Sequence, residues 1–141
     1  MKRMVVTLCA GALLLALFLP GCAGRKGPSD EELVQQTIDA WAKTLVAKDL
    51  DNFMATFSEK FTSSQAADKP TLAKFIKEAI DSGYLDDAKV SYENAKRTMK
   101  DGKCTVYPVD LSGAAGSVAA ELTLVKEDAK WLVIGMEVDG L

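Results

Sequence analysis

Histidine is absent from this sequence. It is the side chain best suited to exchange protons near neutral pH and the commonest metal ligand, so acid–base and metal chemistry both lose their usual agent. Cysteine is scarce: Cys9 and Cys22 lie at the N-terminus, and Cys104 alone remains in the body of the chain. No internal disulfide is expected. A lone cysteine in strand-like surroundings, with no histidine to activate it, is a small buried hydrophobe rather than a nucleophile. Long hydrophobic runs are also missing after the first 20 residues or so. What remains is one domain's worth of sequence: 141 residues, 48% hydrophobic and 26% charged, which is too apolar for a disordered chain and too short for two sizeable cores.

The apolar residues that do run together form a leader. Lys2 and Arg3 precede an uncharged, mainly apolar stretch from Met4 to Leu19, which stops at Pro20-Gly21-Cys22. That stretch falls short of the roughly 20 residues a spanning helix needs and ends in a helix break, the layout of a signal peptide. Leu19-Pro20-Gly21-Cys22 resembles the lipobox of bacterial lipoproteins, with Leu three before the Cys and a small residue immediately before it, although Pro20 is an uncommon occupant of the middle position. The resemblance implies cleavage after residue 21 and acylation of Cys22. Residues 1–21 are then a lipoprotein signal peptide, 22–28 the lipidated Cys and a tether, and 29–141 the folded domain. Ala23 after the Cys, rather than Asp, points by the same resemblance to the periplasmic face of an outer membrane, with the membrane engaged through the lipid. Losing Lys2 and Arg3 makes the remaining body more negative than the net charge of −3 of the whole chain, which argues against nucleic acid as a partner.

Within the body, Ser29-Asp30-Glu31-Glu32 is a capping box that starts a helix. Val34, Ile38, Trp41 and Leu45 recur at helical spacing through about Lys48. Asp49 or Asp51 caps a second helix carrying Leu50, Phe53, Met54, Phe57 and Phe61 as an apolar stripe. A third helix begins near Pro70-Thr71, buries Leu72, Phe75, Ile76, Ala79 and Ile80, and stops at Gly83. From Lys89 the period becomes two, with turns at Asp101-Gly102, Ser112 to Gly116 and Glu127 to Ala129, so four strands in a meander are expected.

A two-residue turn at Asp101-Gly102 would set Met99 opposite Cys104, Arg97 opposite Val106 and Glu93 opposite Asp110 on one face. Extended, that face gains Val118, Ala120, Leu122 and Leu124, then Leu132, Ile134, Met136 and Val138, and is the expected core side. Tyr107 and Trp131 fall on the other face with Val109, Leu111 and Val133, apolar area suited to a weak homodimer.

Three N-terminal helices followed by a curved antiparallel four-stranded meander resemble the nuclear-transport-factor-2-like, or SnoaL-like, cone, an α+β fold. The stretches Val34 to Leu45, Lys48-Asp49-Leu50-Asp51-Asn52-Phe53 and Lys130-Trp131-Leu132-Val133-Ile134 carry the likeness. A cystatin-like helix-on-sheet arrangement is the nearest competitor. The resemblance implies a cavity inside the cone and, in isomerase and cyclase relatives, a carboxylate base there.

Glu93, Arg97 and Asp110 are conspicuous as charges on the expected core face. They are candidate ligand-binding residues, with Arg97 holding an anionic group and Tyr84 as a possible donor. An Arg97–carboxylate ion pair, or a bulge turning these residues outward, would account for them without a ligand. Asp49-Leu50-Asp51-Asn52-Phe53 lacks the Gly and closing Glu of a calcium loop, and Gly113-Ala114-Ala115-Gly116 lacks the Lys and helix of a phosphate loop. No cofactor or metal is expected, and Trp41 reads as core packing. The functional expectation is non-enzymatic binding of a small apolar or anionic molecule, or of a partner protein, at the cell envelope. A carboxylate-dependent isomerase or cyclase and a structural envelope lipoprotein are the alternatives.

Overall fold

The structure, a computed structural model, describes residues 26–140. The leader and Cys22 lie outside the described residues. Helix α1 spans Asp30–Val46 and begins as its capping box requires: the Ser29 hydroxyl accepts from the Glu32 N–H at 3.2 Å, and Glu32 accepts from the Ser29 N–H at 2.7 Å. Its buried stripe is Val34, Ile38, Trp41, Ala42 and Leu45. Helix α2, Leu50–Met54, is capped by Asp49, and α3, Lys69–Asp81, by Asp68, whose Oδ1 accepts from the Thr71 N–H at 2.8 Å. Gly83, with φ of +76°, ends that segment in the conformation glycine tolerates best.

The second helix is shorter than the apolar stripe suggests. After Met54 the chain turns, and Phe57–Thr62 forms strand β1, not a continuation of the helix. Spacing of four suits both states, because residues four apart share a face of a strand as well as of a helix. Pairing decides between them: β1 runs parallel to strand β6, Lys130–Asp139, with the Val133 N–H donating to the Thr56 carbonyl at 2.9 Å. Phe57 and Phe61 stay buried in either state, and here they stack edge-on at 5.1 Å.

The expected four strands become six. The first splits into β2, Lys89–Ser91, and β3, Lys96–Lys100, both paired with β4, Lys103–Gly113. Strand β5, Gly116–Glu127, pairs with β4 and β6, and the order is β1-β6-β5-β4-β2, with β3 on β4. The hairpin at Asp101-Gly102, both at positive φ, has the expected register, Met99 opposite Cys104 and Arg97 opposite Val106.

Two bulges then reverse parts of the expected pattern. Between Val106 and Val109 the β4 register shifts at Tyr107-Pro108, where proline has no N–H for the ladder. Val109 is therefore buried, Asp110 turns to solvent, and Ser91 rather than Glu93 lies opposite it. A second shift at Thr123/Leu124 puts Leu124 opposite Val133 and Thr123 opposite Gly135. Trp131 and Val133 thus enter the core while Leu132 and Ile134 do not; Met136 and Val138 regain the expected side beyond the bulge. Trp131, expected on the outer face, is 3% exposed, and its Nε1 donates to Asp30 Oδ1 at 3.0 Å. Lys126 donates to the same oxygen at 2.8 Å, and these two bonds hold the Asp30 carboxyl below its ordinary pKa.

Among the described residues, the buried hydrophobic ones run from Val34 to Met136 and form one cluster. None of their helices is long and apolar enough to cross a membrane. The chain from Lys26 onward is expected to unfold cooperatively in urea. Phe57→Ala should cost about 3–5 kcal/mol by emptying a fully buried site, whereas Met99→Ala, at an exposed edge position, should stay within about 0.5 kcal/mol. Equal effects of the two would contradict the burial of Phe57 in the core.

Candidate functional site

Helices α1 and α3 cover one face of the sheet, and the side chains that meet there fill it unevenly. Toward the Trp131 end the layer is packed by Val34, Ile38, Val133 and Leu124. Toward the β4–β5 turn the contributors are small: Ala79 on α3, Ala88 before β2, and Gly113, Ala115 and Gly116 around the turn. Residues without long side chains cannot fill the space between layers spaced by Trp41, Phe53 and Met136, and a cavity of about 370 Å³ remains.

Its walls come from every layer. Trp41 and Leu45 project from α1, Phe53 from α2, Phe75, Ile76 and Ala79 from α3, Leu111 and Val118 from β4 and β5, and Met136 and Val138 from β6. The segment after α3 closes one side. The Ala114 N–H donates to the Asp86 carbonyl at 3.1 Å, and a Cβ on Gly113 would sit 3.1 Å from the Tyr84 carbonyl, so the backbones touch where only glycine leaves room. Lys48 pairs with Asp86, tying that segment to the end of α1.

The lining is apolar with few polar groups: Tyr84, Lys89, Ser112 and Ser117 near the opening, and the Trp41 indole on the helical wall. No aspartate, glutamate or cysteine is among the lining residues. None of the described lining residues supplies the carboxylate that an isomerase or cyclase would use as base. Lys89 makes no ion pair among the described residues, and no cluster of acidic or cysteine side chains there could hold a metal. Cys104 is buried and free, and burial pushes its thiol pKa up, which suits packing rather than nucleophilic attack.

The candidate residues from the sequence are not brought together. Tyr84 borders the cavity, 59% exposed. Glu93 lies in the exposed turn between β2 and β3. Arg97 is on the Val106 side as expected, but at an edge the helices leave uncovered, and it donates to the Gln35 side chain of α1. Gln35 in turn donates to Asp39, which also accepts from the Tyr92 hydroxyl at 2.6 Å, raising the Tyr92 pKa. This chain of bonds clips the sheet edge to α1 and makes no ion pair with Glu93 or Asp110. Asp110 lines an open depression of about 540 Å³ with Tyr107 and Asp139, where the Tyr107 hydroxyl donates to Asp139 at 3.1 Å. The bulge at Tyr107-Pro108 separates Asp110 from Arg97 by turning it to the opposite face. Trp41, which its spacing favours as core, and Phe75 and Ala79, expected to be buried on the third helix, line the cavity; the concentration of glycine and alanine at one end of the sheet is the sequence signal for it.

No protein-family model matches the chain, and no curated protein matches it in sequence. Solved structures do match in shape. A protein of unknown function with a cystatin-like fold from Nostoc punctiforme PCC 73102 superposes with a TM-score of 0.63 at 19% identity, over 79% of this chain and 92% of that one. An NTF2-like protein of unknown function from Pseudomonas putida KT2440 gives 0.63 at 10% identity, over 74% and 82%. Another from Shewanella oneidensis MR-1 gives 0.61 at 16% identity, over 78% and 98%. The chain has the NTF2-like fold, and both descriptions attach to the same arrangement of helices on a curved sheet.

Because Arg97 is solvated and its partner is a neutral amide, Arg97→Met is expected to change stability by less than about 0.5 kcal/mol, equally at neutral and mildly acid pH. A urea midpoint that drops at neutral pH and recovers on acidification would instead reveal a carboxylate partner.

Proposed function

We propose that this chain is a lipid-anchored envelope protein whose cone binds a small apolar molecule without transforming it. The observation that carries the reading is the cavity itself: about 370 Å³, lined from both layers by apolar side chains, and without an acid or base on its inner wall. Its size suits a compact ring system or a short chain. The missing carboxylate favours binding over the isomerase or cyclase chemistry that the fold also supports.

The anchoring rests on Leu19-Pro20-Gly21-Cys22 and the basic, apolar leader before it. The described body is compatible with that arrangement. Helix α1 begins beside the β5–β6 turn, where Asp30 meets Lys126 and Trp131, whereas the cavity opens by the β4–β5 turn at the other end of the same strands. A strand of twelve residues separates the two turns by on the order of 30 Å or more. A tether leaving from the first turn therefore leaves the opening on the side away from the membrane, where a molecule would be exchanged with the aqueous compartment.

Two measurements test the two halves of the reading. The chain from Lys26 onward should bind N-phenyl-1-naphthylamine saturably, with energy transfer from tryptophan to the probe. Ala79→Trp, which fills the cavity from α3, should weaken that binding about tenfold or more while leaving the far-UV circular dichroism unchanged. Undiminished binding by the filled variant would remove the cavity as the site. For the anchor, a bacterial host fed labelled palmitate should mark the full chain and not Cys22→Ser; label retained by the variant would refute lipidation at that residue.

A further inference from the structure

The cavity does not end at its rim. A second hollow, the open depression of about 540 Å³ on the outer face of the sheet, meets it there: Lys89, Leu111, Ser112, Ser117, Val118 and Gly140 border both. The strand pairing explains the junction. Pairing of β5 with β6 begins at Ala119 opposite Asp139, so Ser117 and Val118 have no β6 partner among the described residues, and the β4–β5 turn overhangs the end of β6. Around that free edge the inner face, with Leu111 opposite Val118, passes into the outer face, with Ser112 opposite Ser117.

The charges of the outer hollow lie in an order. One cross-strand row contains Ser91, Asp110, Ala119 and Asp139, and the row beside it, nearer the turn, contains Lys89, Ser112 and Ser117. Small side chains at Ala119, Ser112 and Ser117 leave the space, and the charged ones stand around it. Lys89 belongs to the row that borders the apolar cavity, whereas the two carboxylates lie two residues further along the strands, about 7 Å away. None of the three makes an ion pair among the described residues. Asp139 accepts from the Tyr107 hydroxyl at 3.1 Å, and Glu121 and Glu137 pair in the following row, which deepens the negative potential on that side. A path leading out of the cavity therefore crosses apolar wall, then one positive charge, then negative ones beside the exposed ring of Tyr107.

A purely apolar ligand would touch only the first of these zones, and a simple anion would meet Lys89 with carboxylates close behind it. Resting on the binding role proposed above, we infer that the ligand is a single-chain amphiphile with a zwitterionic head. Its chain fills the cavity, whose volume suits one short chain and not two. The anionic group next to the chain lies at Lys89, Ser112 and Ser117, and the terminal cation lies between Asp110 and Asp139 against Tyr107. That is the charge order of a phosphocholine or phosphoethanolamine head; a head with the cation next to the chain presents the reverse.

Three probes with the same ten-carbon chain test this: decylphosphocholine, a decyl sulfobetaine whose charges run in the opposite order, and decanol. Each is titrated calorimetrically, below its micelle-forming concentration, into the chain from Lys26 onward, which retains the whole buried cluster. Decylphosphocholine is expected to bind about fivefold more tightly than either of the others. Lys89→Gln and Asp110→Asn, both at exposed positions, should each lower its affinity about twofold and leave that of decanol unchanged. Ala79→Trp should weaken all three. Equal binding of the phosphocholine and the sulfobetaine overturns the inference, because charge order then counts for nothing. Equal binding of decanol, or indifference of decylphosphocholine to both head-group variants, overturns it as well. In these cases weaker binding by Ala79→Trp still marks the cavity as a binding site. Failure of all three probes to bind, or binding untouched by Ala79→Trp, overturns the inference and the binding role together.

Discussion

Four aromatic rings in a column hold the two layers of this protein together. Trp41 meets Phe53 at 5.6 Å, Phe53 meets Phe57 at 5.1 Å, and Phe57 meets Phe61 at 5.1 Å, so α1, α2 and β1 share one continuous contact. Large rings with little freedom bury much area per residue and fix orientation through edge-to-face geometry. The column explains why so short a helix as α2 has a defined place: Phe53 is wedged between two neighbours of the series, and its own length of one turn and a fraction would not hold it. It also sets the spacing between α1 and the sheet. That spacing is filled by bulky side chains at the Trp131 end and left partly empty where glycine and alanine replace them.

Trp41 stands at the junction of those two regimes. One part of its ring belongs to the column, while the residue also forms cavity wall. Core and site are thus one structure here, and the site inherits rigidity from the column. Preorganised walls of this kind favour binding of a rigid apolar body because little ordering remains to be done when it enters. The opening is treated differently. It is bordered by the segment from Tyr84 to Lys89, which is fastened by the Asp86 carbonyl to the β4–β5 turn and by Lys48 to α1.

The register shifts in β4 and β6 determine which residues take part. A single extra residue in a strand reverses the sidedness of everything beyond it. At Tyr107-Pro108 that reversal places Val109 and Leu111 toward the helices and sends Asp110 away from them. Near Ile134 it turns Trp131 and Val133 inward. The apolar outer patch expected around Tyr107, Val109, Leu111, Trp131 and Val133 therefore loses most of its members to the core, and Tyr107 is left exposed beside Asp139. The charged trio expected inside is not assembled: the shift turns Asp110 away, Glu93 sits in the turn between β2 and β3, and Arg97 lies at an exposed edge.

Local signals in the sequence were sufficient wherever the physics was local. Ser29 with Glu32, Pro70 in the first turn of α3, and Gly83 after it mark helix ends because caps and helix breakers act within one turn. Asp101-Gly102 set its hairpin register because a two-residue turn leaves no slack, and β5, which carries alternation unbroken from Val118 to Leu124, showed its inward face directly. The NTF2-like order of elements followed from these. The fate of Phe57 and Phe61 was not legible, since spacing of four fits helix and strand alike and only pairing with β6 settles it. Nor were the bulges, because the pairing across three strands sets where the extra residue goes. The cavity belongs to the same class: it is a volume that helices and sheet fail to fill, defined by residues from Trp41 to Gly140 that meet only in the folded chain.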